Sequence, residues 1–169
     1  MAGIGIKRTL TGLQEVVAAL SQIDIGNRDT TPMMDEIGAA MVASTQLRFE
    51  DEKDPDGNPW PPSIRAKAEG GQTLTNRARL RQSQTHNASE RKVEWGTDLI
   101  YAAIHQLGGT IRAKGGGKLK FKIPGGGFAQ VDQVTIPARP YLGVNAENEA
   151  EILAIVSDWI TRETQGAVL

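Results

Sequence analysis

The residues of this chain best equipped for chemistry are the acids between Glu50 and Asp56, two histidines, and a lysine run set among glycines. Glu52, Asp54, Asp56 and Gly57 fall at positions one, three, five and six of a calcium-loop register, where alternating oxygen ligands and a glycine turn wrap a cation. Position twelve is Ser63 instead of a bidentate glutamate, and Pro55 and Pro59 stiffen the loop against wrapping. The expected state is therefore a solvated turn anchored by Trp60. His86 and His105 have no partners at zinc-ligand spacing and no assembled nucleophile beside them. His86 reads as a surface residue and His105 as a packing or interface residue. Gly115-Gly116-Gly117-Lys118 is followed by Leu119, so it lacks the hydroxyl that a phosphate-cradling loop places next to its lysine. With no cysteine in the chain, disulfides and thiolate chemistry are excluded. No catalytic residue, metal or cofactor is expected.

Charge points to contacts instead. The total is −1, from 19 Lys and Arg against 20 Asp and Glu, which argues against a dedicated nucleic-acid binder. The distribution is uneven. No acid occurs from Leu99 to Val131, while Arg112, Lys114, Lys118, Lys120 and Lys122 all lie there. Conversely, Glu50, Asp51, Glu52, Asp54 and Asp56 crowd around a single Lys53. Three readings compete: two solvated loops, a basic hairpin of one subunit docking on the acidic loop of the next in a ring, or a basic hairpin facing DNA.

The elements that must carry these residues follow from periodicity and punctuation. Leu10, Leu13, Val16, Val17 and Leu20 predict a first short amphipathic helix. Thr31-Pro32 predicts a helix start, with Thr31 as the cap, running to about Phe49 on a stripe of Met34, Ile37, Met41 and Leu47. Proline, glycine and asparagine make 51–62 a loop. Residues 82–95 predict a hairpin turning around Asn87-Ala88-Ser89-Glu90, with Val93 and Trp95 on one face. A short helix over 98–107, lined by Leu99, Ala102 or Ala103, and Leu107, ends at Gly108-Gly109. Two triple-glycine tracts then bracket Lys118–Ile123, whose apolar and lysine faces alternate, and 128–134 supplies its partner across Pro124-Gly125-Gly126-Gly127. The last helix runs from about Asn145 to Glu163 on Ile152, Ile155, Val156, Trp159 and Ile160. Before it stands Ile136-Pro137-Ala138-Arg139-Pro140-Tyr141-Leu142-Gly143, which two prolines make a stiff extended strap.

The order of Phe49, the Asp54–Trp60 turn, Leu74-Thr75-Asn76-Arg77 with Leu80 and Ser83, Tyr101-Ala102-Ala103-Ile104-His105-Gln106-Leu107-Gly108-Gly109 and the strap resembles the Mu-like phage virion morphogenesis family, the tail completion or neck proteins of tailed phages, over about Phe49 to Gly143. Many members carry glycine where Asn76 stands, so Asn76 is expected at a positive φ. The resemblance implies a non-enzymatic structural protein of the virion's head–tail junction, assembled in the host cytoplasm. It also implies a ring of six copies touching neck and tail-tube proteins, with non-specific DNA contact in the lumen. Trp60, Tyr101, His105, Pro137, Arg139, Pro140 and Tyr141 are expected as structural anchors. The chain's start offers no apolar stretch of signal-peptide length, and no membrane partner is expected. At 169 residues a single domain is expected. Its class is α+β: a small, mostly antiparallel sheet with a long protruding hairpin, packed by N-terminal helices and a C-terminal helix in a tail-terminator-like arrangement. The alternatives are a phage-encoded metal-dependent hydrolase and a DNA-binding accessory module.

Overall fold

The computed structural model describes residues 28–165; the helix expected over Leu10–Leu20 lies outside them. The class is α+β with antiparallel strand pairs, and among the described residues the strands form three two-stranded sheets. The chain divides into two compact units, each described by itself.

The unit made of 28–44, 85–96 and 144–165 is built on two long helices. Helix α1 (Thr31–Asp51) begins with the Asp29 carboxylate accepting the Thr31 N–H at 2.9 Å and the Thr30 carbonyl accepting the Met34 N–H at 3.0 Å. Capping is thus done just ahead of Thr31, not by Thr31 as expected. The hydrogen bonds from Thr31 also hold the Asp29 carboxyl below its usual range. Met33, Ile37 and Met41 of α1 pack on Val156 and Trp159 of helix α2, Ala146–Gln165, with Val93, Trp95, Ile152, Ile155 and Ile160 around them. The C-terminal stripe is the expected one. On α1 the expected Leu47 is instead 58% exposed, because ten residues beyond Ile37 a helix has turned well off the buried line. Spacing of four carries that line through Thr45 to Phe49.

The strands β1 (Thr85–Ser89) and β2 (Lys92–Gly96) pair from Thr85↔Gly96 to Ser89↔Lys92. Their turn is Glu90-Arg91, later than expected. A Cβ on Gly38 would sit 2.4 Å from His86 Cδ2 and 2.9 Å from Val93 Cγ2, so α1 and the hairpin approach too closely for any side chain there. His86 is therefore not the plain surface residue expected: it packs on α1, and its Nε2 lies 2.9 Å from Asp35 Oδ1. The C-terminal helix opens with a reciprocal cap. Asn145 Oδ1 accepts the Asn148 N–H at 2.9 Å, and Asn148 Oδ1 accepts the Asn145 N–H at 3.3 Å. Asn148 Nδ2 also donates to Ser44 Oγ at 2.7 Å.

The unit made of 45–84 and 97–143 holds three short helices, Ile64–Glu69, Arg79–Gln82 and Ala102–Leu107, and four strands. Ser63 caps the first, its Oγ accepting the Ala66 N–H at 3.1 Å. Fully buried Thr73 bonds back to Ser63 through its Oγ1. The positive φ expected at Asn76 falls on its neighbours Leu74 and Ala78. On Ala102–Leu107 the inward side is Ala102 and Gln106, one turn apart, and Leu107 is exposed, not buried as expected.

Strands β3 (Gly109–Arg112) and β6 (Gln133–Ile136) pair from Gly109↔Ile136 to Arg112↔Gln133, and β4 (Leu119–Lys122) and β5 (Phe128–Val131) pair from Leu119↔Val131 to Lys122↔Phe128. The Ala113 N–H donates to Asp132 O at 2.9 Å between them. The two pairs are thus one ribbon, the arm, in which residues 114–118 are extra on one strand. That bulge is closed by Gly117 N–H to Lys114 O and tied to the far strand by Lys118 Nζ on Asp132 Oδ1 at 2.5 Å. No described helix is long and apolar enough to cross a bilayer.

Candidate interaction site: the strap and its arm

The strap 136–143 has no strand partner beyond Ile136, and Arg139, Tyr141 and Leu142 are buried. Its backbone polar groups must find partners elsewhere or cost free energy. Prolines 137 and 140 bring no N–H; three side chains and one carbonyl serve groups among the rest. The Arg139 N–H donates to His105 O at 2.7 Å. Gln106 Oε1 accepts both the Tyr141 N–H (2.9 Å) and the Leu142 N–H (3.0 Å), and Gln106 Nε2 donates to Leu142 O (3.1 Å). Arg48 reaches Tyr141 O at 3.0 Å and Gly143 O at 2.9 Å. Trp60 Nε1 donates to Pro140 O at 2.9 Å. Arg139 in turn donates from Nε to Pro61 O at 2.6 Å.

Aromatic packing closes the same place. Phe49 lies 5.4 Å from Trp60, edge to face, and 5.1 Å from Tyr141, spacings at which ring pairs attract beyond their buried area. Tyr141 is fully buried, its hydroxyl donating to Ala102 O at 3.3 Å, and burial pushes its pKa up to about 12. Burial likewise lowers the Arg48 and Arg139 guanidinium pKa values. Tyr101, 40% exposed, stands edge-on to His105 at 6.1 Å. Burial, then the charge of Arg139, holds the His105 imidazole below its usual range. Pro137 is exposed.

The anchoring cluster thus gathers Trp60, Arg139, Pro140 and Tyr141, together with Arg48 and Gln106, which sequence reasoning missed. A glutamine on the buried side of a short helix and an arginine four residues beyond Ser44 on the buried line were the available signals. Both arms of the ribbon are rooted here. Helix Ala102–Leu107 passes into β3 through Gly108, where φ is +69° and a Cβ would meet Ala138 N at 2.6 Å. Strand β6 passes directly into the strap.

The charged loops are arranged otherwise than the sequence suggested. Arg81 pairs with Glu50 at 2.9 Å, and Glu52 Oε1 accepts the Thr73 N–H at 2.5 Å. Asp54 Oδ1 accepts the N–H groups of Asp56 and Asn58. Glu50, Glu52 and Asp54 thus bind their own unit, which leaves the loop a weak receptor for a neighbour's lysines; Asp51 and Asp56 are exposed beside them. Among the described residues no cluster of three or more His, Asp or Glu could hold a metal ion. The arm's cations were expected to lack any local acid, but Asp132, one residue past the acid-free window, takes Lys118. Arg112, Lys114, Lys120 and Lys122 are exposed. So are large apolar side chains: Ile100, Tyr101, Leu107, Ile111, Phe121, Ile123 and Phe128 all stand out between 100 and 128. Exposed apolar groups this dense mark a contact surface.

Comparison with known proteins agrees in kind. The sequence model of the phage virion morphogenesis family matches residues 8–161. A Haemophilus influenzae protein described as Mu-like prophage FluMu G protein 2 is 29% identical over 155 residues, which is 91% of this chain and 95% of that protein. The putative capsid assembly protein G of Escherichia phage Mu is 30% identical over 150 residues, 83% of this chain and 85% of its own. No solved structure matches.

Proposed function

Since the chain belongs to the phage virion morphogenesis family, we propose that it completes the tail and joins it to the neck at the head–tail junction, as a non-enzymatic ring of six copies. The coarser role is given with the family: this is a phage structural or assembly protein. The observation that supports the finer reading is the mounting of the arm. One of its strands leaves helix Ala102–Leu107 and the other runs into a strap whose backbone groups are held by that helix's Gln106 and by Arg48 and Trp60, while the arm itself exposes Phe121, Phe128 and lysines. A two-stranded ribbon is marginal in water by itself, so a rigid root with an uncovered blade suits a part completed by neighbours.

The test is a phage lacking this protein, examined by electron microscopy of lysates and complemented in trans. Unjoined heads and tails, or tails of irregular length, are expected, with joined virions restored by the wild-type chain. Normal joined virions without it would overturn the junction role. A second reading, contact between the exposed lysines and DNA in the lumen, predicts salt-dependent binding to duplex DNA that is lost with Lys114, Lys120 and Lys122.

A further inference from the structure

Charge counted by unit reveals what the near-zero total hides. Residues 45–84 and 97–143 carry thirteen Lys and Arg against eight Asp and Glu, a net of +5; residues 28–44, 85–96 and 144–165 carry four against ten, a net of −6. Within the cationic unit, Lys120 and Lys122 share one face of the arm with Phe128, which lies opposite Lys122 and is 75% exposed. Within the acidic unit, Glu147, Glu151 and Asp158 are exposed on α2. At 100° per residue they fall within about 40° of one another, a single stripe with exposed Ala154 between the last two. The neighbouring acids Glu163 and Glu36 are taken by Arg28 and Arg162, the latter also lying near Asp158.

The two surfaces match in pitch. Alternate residues on a strand stand about 6.8 Å apart, and residues one turn apart on a helix about 6 Å along its axis. Lys120 and Lys122 can therefore face Glu147 and Glu151 pairwise, with the small Ala154 leaving room for the Phe128 ring. We propose that the Lys120, Lys122 and Phe128 face of the arm in one copy docks on the Glu147, Glu151 and Asp158 stripe of the C-terminal helix in a second copy. Each copy then offers both halves of the contact on different surfaces, a head-to-tail arrangement that closes into a ring or extends as a filament. The receptor is the C-terminal helix, not the Glu50–Asp56 loop, whose Glu50, Glu52 and Asp54 are already engaged. This contact deepens the ring reading and rests on it for closure. It is read in solution, whereas the junction role is read in phage, so the failure of one is distinguishable from the failure of the other.

The experiment measures self-association by sedimentation and native mass spectrometry, at low and high salt, for the wild-type chain, K120E/K122E, E147K/E151K, an equimolar mixture of these two variants, and the chain carrying all four substitutions. All substituted residues are exposed, and unchanged melting temperatures verify folding. Wild type should associate in a salt-sensitive manner, and each pair of reversals should weaken association by about tenfold or more. The mixture and the fourfold variant should recover it, because opposite charges again meet. A wild-type chain monomeric at low salt and high concentration overturns the proposal. So does K120E/K122E associating undiminished, or a mixture that does not recover. Loss of duplex-DNA binding by K120E/K122E from a monomeric wild type would assign the arm to nucleic acid instead.

Discussion

Replacing Gln106 with Leu removes an amide while nearly conserving volume, so it isolates the polar service that this side chain gives the strap. Two N–H groups and one carbonyl, those of Tyr141 and Leu142, lose their partner at once. A buried group left unpaired costs about 1–3 kcal/mol. Allowing for local relaxation, the three together should cost about 4 kcal/mol, a large part of the roughly 5–15 kcal/mol that keeps a domain folded. In urea, with a slope of about 2 kcal/mol per molar, the midpoint should fall by about 2 M at unchanged slope. Gln106→Glu supplies the internal control. Protonated, its acid group reproduces one acceptor and one donor; ionised, it sets a bare oxygen against Leu142 O. Its folded pKa should therefore be raised, the native state should hold a proton that the unfolded chain releases near about 4.3, and stability should fall as pH rises above that value. A loss below about 1 kcal/mol in Gln106→Leu, with no pH slope specific to Gln106→Glu, would refute the claim that this amide holds the strap.

Trp60→Ala should cost about 3–5 kcal/mol through lost packing on Phe49, and Trp60→Phe only about 1–2 kcal/mol through the lost bond to Pro140 O; an unchanged melting temperature in the alanine variant would sink the anchor. Gly38→Ala gains about 1 kcal/mol of helix propensity but drives a Cβ into His86 and Val93, so a net loss of about 1–2 kcal/mol is expected; a raised melting temperature would mean that the helix and hairpin can separate freely. Burial, then Arg139, lowers the His105 pKa, so the unfolded chain takes up a proton at about pH 6.5 that the folded chain refuses. Stability is then lost as pH falls below about 6.5, and His105→Gln should flatten that slope; identical slopes in both proteins would refute it.

What the sequence displayed best was periodic or punctuated. The Ile152-to-Ile160 stripe, the two hairpins and the helix stop at Gly108 were readable because spacing or glycine alone sets them. Leu47 misled because its hydrophobicity outweighed its angle, and Thr31 because a proline after it outshone Asp29. The strap was recognised as stiff from its prolines. Its partners were not, since Gln106 and Arg48 act on backbone atoms, which have no sequence signature, from elsewhere in the chain. The charge runs were visible, but their meaning was not: Glu50, Glu52 and Asp132 find partners that only the folded chain brings near.

The bulge at 114–118 gives the experimenter a handle. It lies opposite no residue of the far strand, space is open around Gly115 and Gly116, and the chain has no cysteine of its own. A thiol introduced at exposed Lys114 would be the sole thiol in the molecule. Dye or gold could be attached there without breaking a single rung of the ribbon, a beacon a few residues from the blade that reports where the arm comes to rest in a particle.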